Sequence, residues 1–336
     1  MKRGLLLFFS ACLLAPAQGP KVGVVEIFGL RKIAPEKVRK ALGVLEGGPL
    51  PASRADVEER LEAIEGVVRA SVEAVCCLDK QAILYVGIEE RGSPHFEVRL
   101  PPGKEIALPA EVLEEWTSFT TSLSVALRKG TAEEDLTQGH SLLKDADARQ
   151  SQLKFVALAQ KHVELLKDVL RNGADEEQRG IAAYVLGYLA DKKQAAAELQ
   201  FAMQDFDSTV RVNALRGLVA VTVYSRLNPD LGIRISPTWF VEMLNSTNFT
   251  DRIKAAEALF HFTEKRDEFV MTHLRERALP ALTEMAAWRD PGHAVPAFIL
   301  LGRVAGLAEA EIQDLWSKGD RQTLLKKLKD SARSAN

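Results

Sequence analysis

The protein has 336 residues, of which 46% are hydrophobic and 27% charged, with 44 Lys plus Arg against 46 Asp plus Glu. This composition is typical of a globular protein and excludes a disordered or collagen-like chain, and the length suggests two or three folded units. The formal net charge of −2 also argues against a nucleic-acid partner, because nucleic-acid binders usually carry a basic face.

Residues 1–17 have the pattern of a secretory signal peptide. A short basic stretch precedes an apolar run, and Ala15-Pro16-Ala17 supplies the small residues of a cleavage site. The apolar run is shorter than the roughly 20 residues that a spanning helix needs. We therefore expect an exported protein whose mature chain has no transmembrane span. An alternative is acylation at Cys12, where the sequence loosely resembles a lipoprotein box.

Cleavage after Ala17 would leave Cys76 and Cys77 as the only cysteines. Adjacent side chains on a strand point to opposite faces, so we expect one buried and one exposed thiol. The alternative is a redox switch or an intermolecular crosslink, because a free thiol is unusual in an exported protein.

Residues 21–91 predict a small α+β domain with the order strand, helix, helix, strand, strand. The β-branched run Val22–Phe28 predicts the first strand, Pro35 stands in the first turn of the first helix, and Ser53 caps the second helix. Two further apolar runs, separated by residues 78–81, predict a hairpin.

This order of elements, with its glycines, resembles a POTRA domain. The resemblance rests on Gly29 after the first strand, Gly47-Gly48-Pro49 between the helices, residues 61–68 leading into the second strand, and residues 86–91 at the end. POTRA domains are small modules outside the cytoplasm that hold other polypeptides, often by adding a strand to a sheet edge. The resemblance implies a periplasmic location in a bacterium and an exposed second strand.

The second strand is therefore the candidate protein-binding element. An unpaired strand edge offers free N–H and C=O groups that a partner strand satisfies. The candidate residues are Arg69, Ser71, Glu73 and Val75. The chain has one such unit and no series of barrel strands, so we do not expect a transporter.

The middle of the chain contains one polar cluster of catalytic residue types. Residues 92–109 are proline-rich and predict a linker, and residues 110–149 predict a helical connector. Within the connector, Asp135, His140 and Ser141 have the types of an orienting acid, a base and a nucleophile, but no nucleophile elbow surrounds the serine. The alternative interpretation is a turn that joins two helices.

Residues 150–330 contain an internal repeat that predicts a helical solenoid, followed by a tail at 331–336. Three segments begin with Arg and carry Ala at +3 and Leu at +7, and a degenerate fourth copy begins at Ala294. The pattern resembles HEAT repeats, in which such arginines bond acidic groups between neighbouring repeats. The resemblance implies a structural role for the three arginines, which are Arg179, Arg211 and Arg252.

The last predicted helix has leucines on one face and lysines on the other. We expect it to be a solvated cap of the repeat array, because such arrays need polar ends. The alternative is peripheral contact with an acidic lipid or protein surface.

The sequence lacks a phosphate-binding loop, a dinucleotide fingerprint and a zinc-protease motif, and its six His are scattered. We therefore expect no metal, no cofactor and no enzymatic activity.

The predicted fold is multidomain: a small β-α-α-β-β POTRA-like domain followed by an all-α HEAT-like solenoid. The predicted function is a periplasmic protein–protein interaction adaptor or scaffold with a partner in the cell envelope. The alternative is a redox-active or enzymatic envelope protein that uses Cys76 and Cys77 or the segment Asp135–Ser141.

Overall fold

The computed structural model describes residues 20–334, with side chains described up to Leu328. The predicted signal peptide and Cys12 therefore lie outside the described residues. The described chain forms a small mixed sheet with two helices, here called the sheet domain (residues 21–91), and a predominantly helical region (residues 110–334).

The sheet domain has the predicted order of elements. These are β1 (Val22–Phe28), α1 (Pro35–Leu42), α2 (Arg54–Glu62), β2 (Val67–Leu78) and β3 (Gln81–Glu90). The strands lie in the order β1-β3-β2, with β1 parallel and β2 antiparallel to β3. The Ser53 side chain caps α2 by accepting a hydrogen bond from the backbone N–H of Asp56.

The hairpin between β2 and β3 is tighter than the predicted connection of four residues. Its loop consists of Asp79 and Lys80 alone, with φ of 49° and 64°. Two-residue loops with positive φ match the twist of the strands that they join.

Both faces of the sheet are buried, each by a different part of the chain. One face packs on α1 and α2 through an apolar set: Val22, Val25, Val57, Leu61, Val72, Leu84, Val86 and Ile88. The opposite face contributes Val24, Phe28, Ile83 and Tyr85 to the core of the helical region. Each face of the sheet therefore carries part of a buried core.

The helical region consists mainly of paired helices in two layers. Its elements are α3 (Ala110–Lys129), β4 (Glu134–Asp135), β5 (Leu142–Leu143), α4 (Ala146–Lys161), α5 (Val163–Asn172), α6 (Glu176–Leu186), α7 (Lys192–Ala202), α8 (Ser208–Leu227), a 3₁₀ turn (Pro229–Leu231), α9 (Thr238–Met243), α10 (Phe249–Phe262), α11 (Glu268–His273), a π-helical turn (Leu274–Ala278), α12 (Leu279–Ala286), α13 (Pro291–Val304), α14 (Glu309–Ser317) and α15 (Arg321–Ser334). The four predicted repeat segments lie on α6, α8, α10 and α13, which pack side by side in the first layer. The helices α5, α7, α9 and α12 pack against them as the second layer.

The chain before the first repeat helix forms two helices, α4 and α5, which meet at His162, where the ring Nε2 lies 2.5 Å from a carboxylate oxygen of Glu111. The last helix continues to Ser334 instead of ending at 330. Leu127, in the last turn of α3, is 61% exposed. No helix within residues 20–334 has both the length and the apolar character needed to cross a membrane.

Residues 92–109 form an extended arm that is tied to the ends of the repeat helices. The backbone N–H of Arg99 donates to the carbonyl of Gln204 at 2.8 Å, and that of Lys104 donates to the carbonyl of Asn172 at 2.9 Å. The Arg99 guanidinium also stacks 3.5 Å over the ring of Phe201. The arm therefore holds the sheet domain close to the helical region.

An aromatic cluster joins the sheet domain to the helical region. The ring of Tyr85 on β3 stacks on Phe249 with centroids 3.8 Å apart and meets Trp288 edge-on at 5.0 Å. Burial raises the pKa of the Tyr85 phenol well above its usual range, so the hydroxyl stays protonated, and it forms a hydrogen bond of 2.7 Å with Nδ1 of His293. Packing and one satisfied polar group thus fix the orientation of the sheet.

Gly87, next to this cluster, is required by the close approach of β3 to the helical region. A Cβ at this position would overlap the carbonyl oxygen of Thr247 and lie 2.8 Å from the ring of Phe28. Both neighbours are held by the core, so a side chain here must push the sheet away from the helices.

We expect Gly87→Ala to lower the free energy of unfolding by about 1–3 kcal/mol through overpacking at this contact. The matched control is Gly103→Ala, whose added Cβ would meet no atom within 4 Å. The control should change stability by less than about 0.5 kcal/mol. Urea unfolding followed by tryptophan fluorescence measures both. Equal effects of the two substitutions would contradict the account of the contact.

Candidate functional site

Two of the four candidate residues on β2 form side-chain hydrogen bonds with the helical region. The Ser71 hydroxyl, which is buried, accepts a hydrogen bond from the Asn248 side chain at 3.2 Å. The Glu73 carboxylate accepts one from the Thr250 hydroxyl at the start of α10 at 2.5 Å. These contacts exist because the face of β2 that carries Ser71 and Glu73 is the face that packs on the helical region.

The other two candidates differ from these. Val75 is partly buried against the core of the helical region. Arg69 is exposed, and its side chain has no partner among the residues that the structure describes.

The open edge of β2 is partly occupied by α2. The backbone N–H of Ala70 donates to the Glu62 carboxylate at 3.0 Å, and that of Val72 donates to the Glu58 carboxylate at 2.7 Å. Because outward N–H groups alternate along a strand, the next one belongs to Ala74. Ala74 is exposed, and the part of β2 that begins there is the section of this edge that α2 leaves uncovered.

The β1 edge is also occupied. The backbone N–H of Val22 donates to the carbonyl of Gly48 at 2.9 Å, and that of Val25 donates to the Glu46 carboxylate at 2.9 Å. The carbonyl of Val25 in turn accepts from the Arg289 guanidinium at 2.8 Å. A partner strand at this edge would have to displace all three contacts.

Cys76 and Cys77 lie at the end of the β2–β3 hairpin and are joined to each other by a disulfide bond. Both residues are exposed, so the expectation of one buried and one exposed thiol is wrong. The regular pairing of β2 with β3 is interrupted between Val75 and Leu78, which ends the alternation of faces on which that expectation depended.

The structure does not assemble Asp135, His140 and Ser141 into a catalytic triad. The Asp135 carboxylate accepts hydrogen bonds from the backbone and hydroxyl of Thr137 and not from His140. The Ser141 hydroxyl accepts from the Arg216 guanidinium at 3.3 Å. The segment forms a short hairpin, since β4 pairs with β5, and it lies against α6 and α8.

His140 belongs to a buried polar cluster at the base of this hairpin. Its Nδ1 accepts a hydrogen bond from the Lys192 ammonium at 3.3 Å, and its Nε2 is buried without a partner within the described chain. Burial and the Lys192 charge lower the pKa of His140 to about 4. Burial also lowers the pKa of Lys192 to about 8, so near neutral pH the histidine is neutral and accepts while the lysine is charged and donates.

Gly139 permits this arrangement. It has a φ of 77°, and a Cβ would lie 2.8 Å from Cε of Lys192 and 3.0 Å from the ring of Tyr224. The hairpin therefore packs its backbone directly on the Lys192 side chain.

The three repeat arginines form a ladder of buried ion pairs along the first layer. Arg179 makes two parallel hydrogen bonds of 3.0 Å to Asp205, and Arg211 bonds the Asp251 carboxylate at 2.7 Å. Each also donates to backbone carbonyls that precede its own helix. Each ion pair links one repeat to the next, and in each pair a buried carboxylate neutralises a buried guanidinium.

Arg252 extends this ladder to the sheet domain. It donates to the Glu284 carboxylate at 3.1 Å, and the same carboxylate accepts from the backbone N–H of Gly29 at 3.1 Å and pairs with Arg31. The guanidinium also lies 4.4 Å from the ring centroid of Phe28. Arg252 thus contacts both the repeat array and the end of β1.

A long groove runs between α8 and α10. Its α8 wall contains residues three or four apart, which share one helix face: Val212, Arg216, Val219, Thr222 and Arg226. Its α10 wall has the same spacing, with Lys254, Glu257 and His261, and Lys265 follows in the turn after α10. Two cavities of about 430 and 500 Å³ meet at His261, which lines both. We call this feature the α8–α10 groove.

The two ends of the α8–α10 groove differ in charge. At the end near β4, Arg216 pairs with Glu134, and Lys254 pairs with Glu257 at 2.7 Å. At the other end, the groove is closed by the segment 233–235, which follows the 3₁₀ turn.

Residues 20–334 contain no group of three or more His, Cys, Asp or Glu side chains placed to hold a metal ion. Another open cavity of about 630 Å³ lies where the arm passes Trp239, with Glu97, Glu242, Glu276 and Arg277 in its lining.

Neither a family model nor a curated protein matches the chain. Sequence patterns located α8 and α10 as repeat helices but gave no sign of the groove between them, because its walls come from positions that vary between the repeats.

The pKa of His140 predicts a pH dependence of stability. An unfolded histidine has a pKa near 6.5, whereas His140 in the folded protein has a pKa of about 4. As the pH falls from 6.5 to 4, the unfolded chain therefore takes up a proton that the folded protein does not. The free energy of unfolding falls over this window, by about 1–3 kcal/mol from this group.

We expect His140→Gln to reduce this loss, because glutamine does not titrate. The control is His95→Gln, which changes an exposed histidine and should keep the wild-type pH profile. Urea unfolding at pH 7, 5.5 and 4.5 measures the three proteins. A profile for His140→Gln that matches the wild type would show that His140 does not have the lowered pKa.

Proposed function

We propose that the protein is an exported adaptor of the bacterial cell envelope that holds an extended polypeptide in the α8–α10 groove. The observation that carries this proposal is the groove itself, which has apolar and polar groups along one continuous face of two neighbouring helices. The resemblance of the sheet domain to POTRA domains, and of the helical region to HEAT repeats, supports the same function, because both kinds of module hold polypeptides.

The dimensions of the groove suit an extended chain. Its α8 wall runs from Val212 to Arg226, which at 1.5 Å per residue is about 21 Å. An extended peptide rises about 3.3 Å per residue, so about six residues fit along the groove.

The apolar side chains of the groove give it binding energy. Leu136, Val212 and Val219 line one end, and each is only partly buried. A peptide that alternates apolar and polar residues would place its apolar side chains here and remove both surfaces from water.

The β2 edge is the weaker candidate for the same function. The carboxylates of Glu58 and Glu62 already accept the outward N–H groups of Val72 and Ala70. A partner strand has free access only from Ala74 onward, which leaves a short section for pairing.

The second candidate function is thiol–disulfide exchange at Cys76 and Cys77, and the exposure of both residues favours it. A thiolate of a partner dithiol would attack one sulfur, form a mixed disulfide and release the other cysteine as a thiolate. The second thiol of the partner would then resolve the mixed disulfide, so that the partner is oxidised and the Cys76–Cys77 pair is reduced. Nothing comparable favours catalysis by the segment Asp135–Ser141, because the side chains of Asp135, His140 and Ser141 form hydrogen bonds with other residues and not with one another.

The test of the adaptor proposal is recovery of crosslinked partners from the native envelope, with identification by mass spectrometry. We expect Val219→Trp, which fills the groove, to reduce recovery of the main partner at least fivefold. The matched control is Leu153→Trp, which adds the same side chain at an exposed position on α4 and should leave recovery unchanged.

Two further variants separate the alternatives. Ala74→Pro removes the free N–H of the β2 edge. Recovery that is lost in Ala74→Pro and kept in Val219→Trp would move the binding site to the edge. Recovery that is lost only when both cysteines are replaced by serine would favour thiol exchange. If the wild-type protein recovers no partner, the adaptor proposal is wrong.

A further inference from the structure

The end of the α8–α10 groove at segment 233–235 has an excess of positive charge. Arg234 and Lys265 are both exposed, and neither side chain has a hydrogen bond or an ion pair within the described chain. Arg226, on the α8 wall, is paired with Glu264 at 2.9 Å. The acidic residue in the lining, Asp267, caps α11 by accepting a hydrogen bond from the N–H of Val270 at 3.3 Å.

The same end has an apolar floor. Ile233, Ile235 and Phe262 line the 500 Å³ cavity, and all three are partly buried against the core of the helical region. The same cavity is lined by the two exposed cations, Arg234 and Lys265. The pairing of an apolar surface with unneutralised cations favours a ligand that carries both apolar groups and carboxylates.

The opposite end of the groove does not share this preference. Arg216 and Lys254 lie there, but each has an acidic partner, Glu134 and Glu257. A charged ligand group at that end would have to compete with an existing ion pair. The charge pattern therefore gives the groove a direction, with an anionic group favoured only beside Arg234 and Lys265.

We infer that the α8–α10 groove selects a polypeptide segment that alternates apolar and polar residues and ends in acidic side chains beside Arg234 and Lys265. This inference rests on the proposed adaptor function and names the chemistry of its partner. The apolar side chains lie on the floor formed by Ile233, Ile235 and Phe262 and continue toward Val219. The carboxylates of the segment complete the ion pairs that the protein itself leaves open.

The test uses the mature full-length protein and two fluorescein-labelled hexapeptides with amidated ends. One has the sequence Leu-Ser-Leu-Ser-Asp-Asp, and the other has Lys-Lys in place of Asp-Asp. Fluorescence anisotropy at low salt should show at least tenfold tighter binding of the acidic peptide. The difference should shrink as salt is raised to about 0.5 M, because exposed charges are screened.

The charge-reversal variant Arg234→Glu with Lys265→Glu should bind the acidic peptide at least tenfold more weakly than the wild type and should bind the lysine peptide more tightly. The matched control is Arg128→Glu with Lys193→Glu, which makes the same charge change at two exposed positions on α3 and α7. The control should keep the wild-type preference.

Three results would overturn the inference: equal binding of both peptides, no binding of either peptide, or a charge-reversal variant that behaves like the control. Each is distinguishable from failure of the adaptor proposal. Recovery of an envelope partner that depends on Val219 but not on Arg234 and Lys265 would keep the groove as the binding site and remove its acidic selectivity.

Discussion

The docking of Tyr85 against Phe249 and Trp288 is the contact on which the arrangement of the molecule depends. A three-stranded sheet covered on one face by two short helices has a small core, and its second face must be buried for the sheet to be stable. Here the helical region buries that face. The ring centroid of Tyr85 lies 3.8 Å from that of Phe249 and 5.0 Å from that of Trp288. Gly87 permits the approach, and Glu284 joins the end of β1 to the arginine ladder through Arg252.

This docking determines which surfaces remain for a partner. It places one face of β2 against the start of α10, so that Ser71 and Glu73 form hydrogen bonds within the chain. The edge of β2 is then shortened by the glutamates of α2. In contrast, the α8–α10 groove retains apolar side chains in partial contact with water and two cations without partners. The groove therefore offers a partner more apolar side chains and more unpaired charges than the strand edge offers.

Local sequence signals predicted the individual elements well. The β-branched run at 22–28 and the cap at Ser53 gave β1 and α2, and the recurring Arg, Ala and Leu gave four helices that pack in one layer. These features depend on residues that are close together in the sequence. The hairpin loop was placed less well, because Asp79 and Lys80 adopt positive φ without a glycine to signal it.

The contacts at the candidate sites join residues that are far apart in the sequence, so no local sequence pattern predicts them. Ser71 and Asn248 are 177 positions apart, and His140 and Lys192 are 52 apart. Nothing near Ser71 indicates that its face is covered, and nothing near His140 indicates that a lysine is its neighbour. The expectation of one buried and one exposed thiol depended on strand geometry, which does not apply at Cys76 and Cys77, where the pairing of β2 with β3 is interrupted.

The central claim is that a polypeptide partner binds the α8–α10 groove while the sheet domain stays docked. Hydrogen–deuterium exchange of the mature protein, alone and with its recovered envelope partner, tests this claim most directly. The account predicts new protection in peptides that cover residues 212–226 and 254–265, with exchange unchanged in β2 from 69 to 77. Protection confined to 69–77, or increased exchange in β3 around Tyr85 on binding, would contradict it.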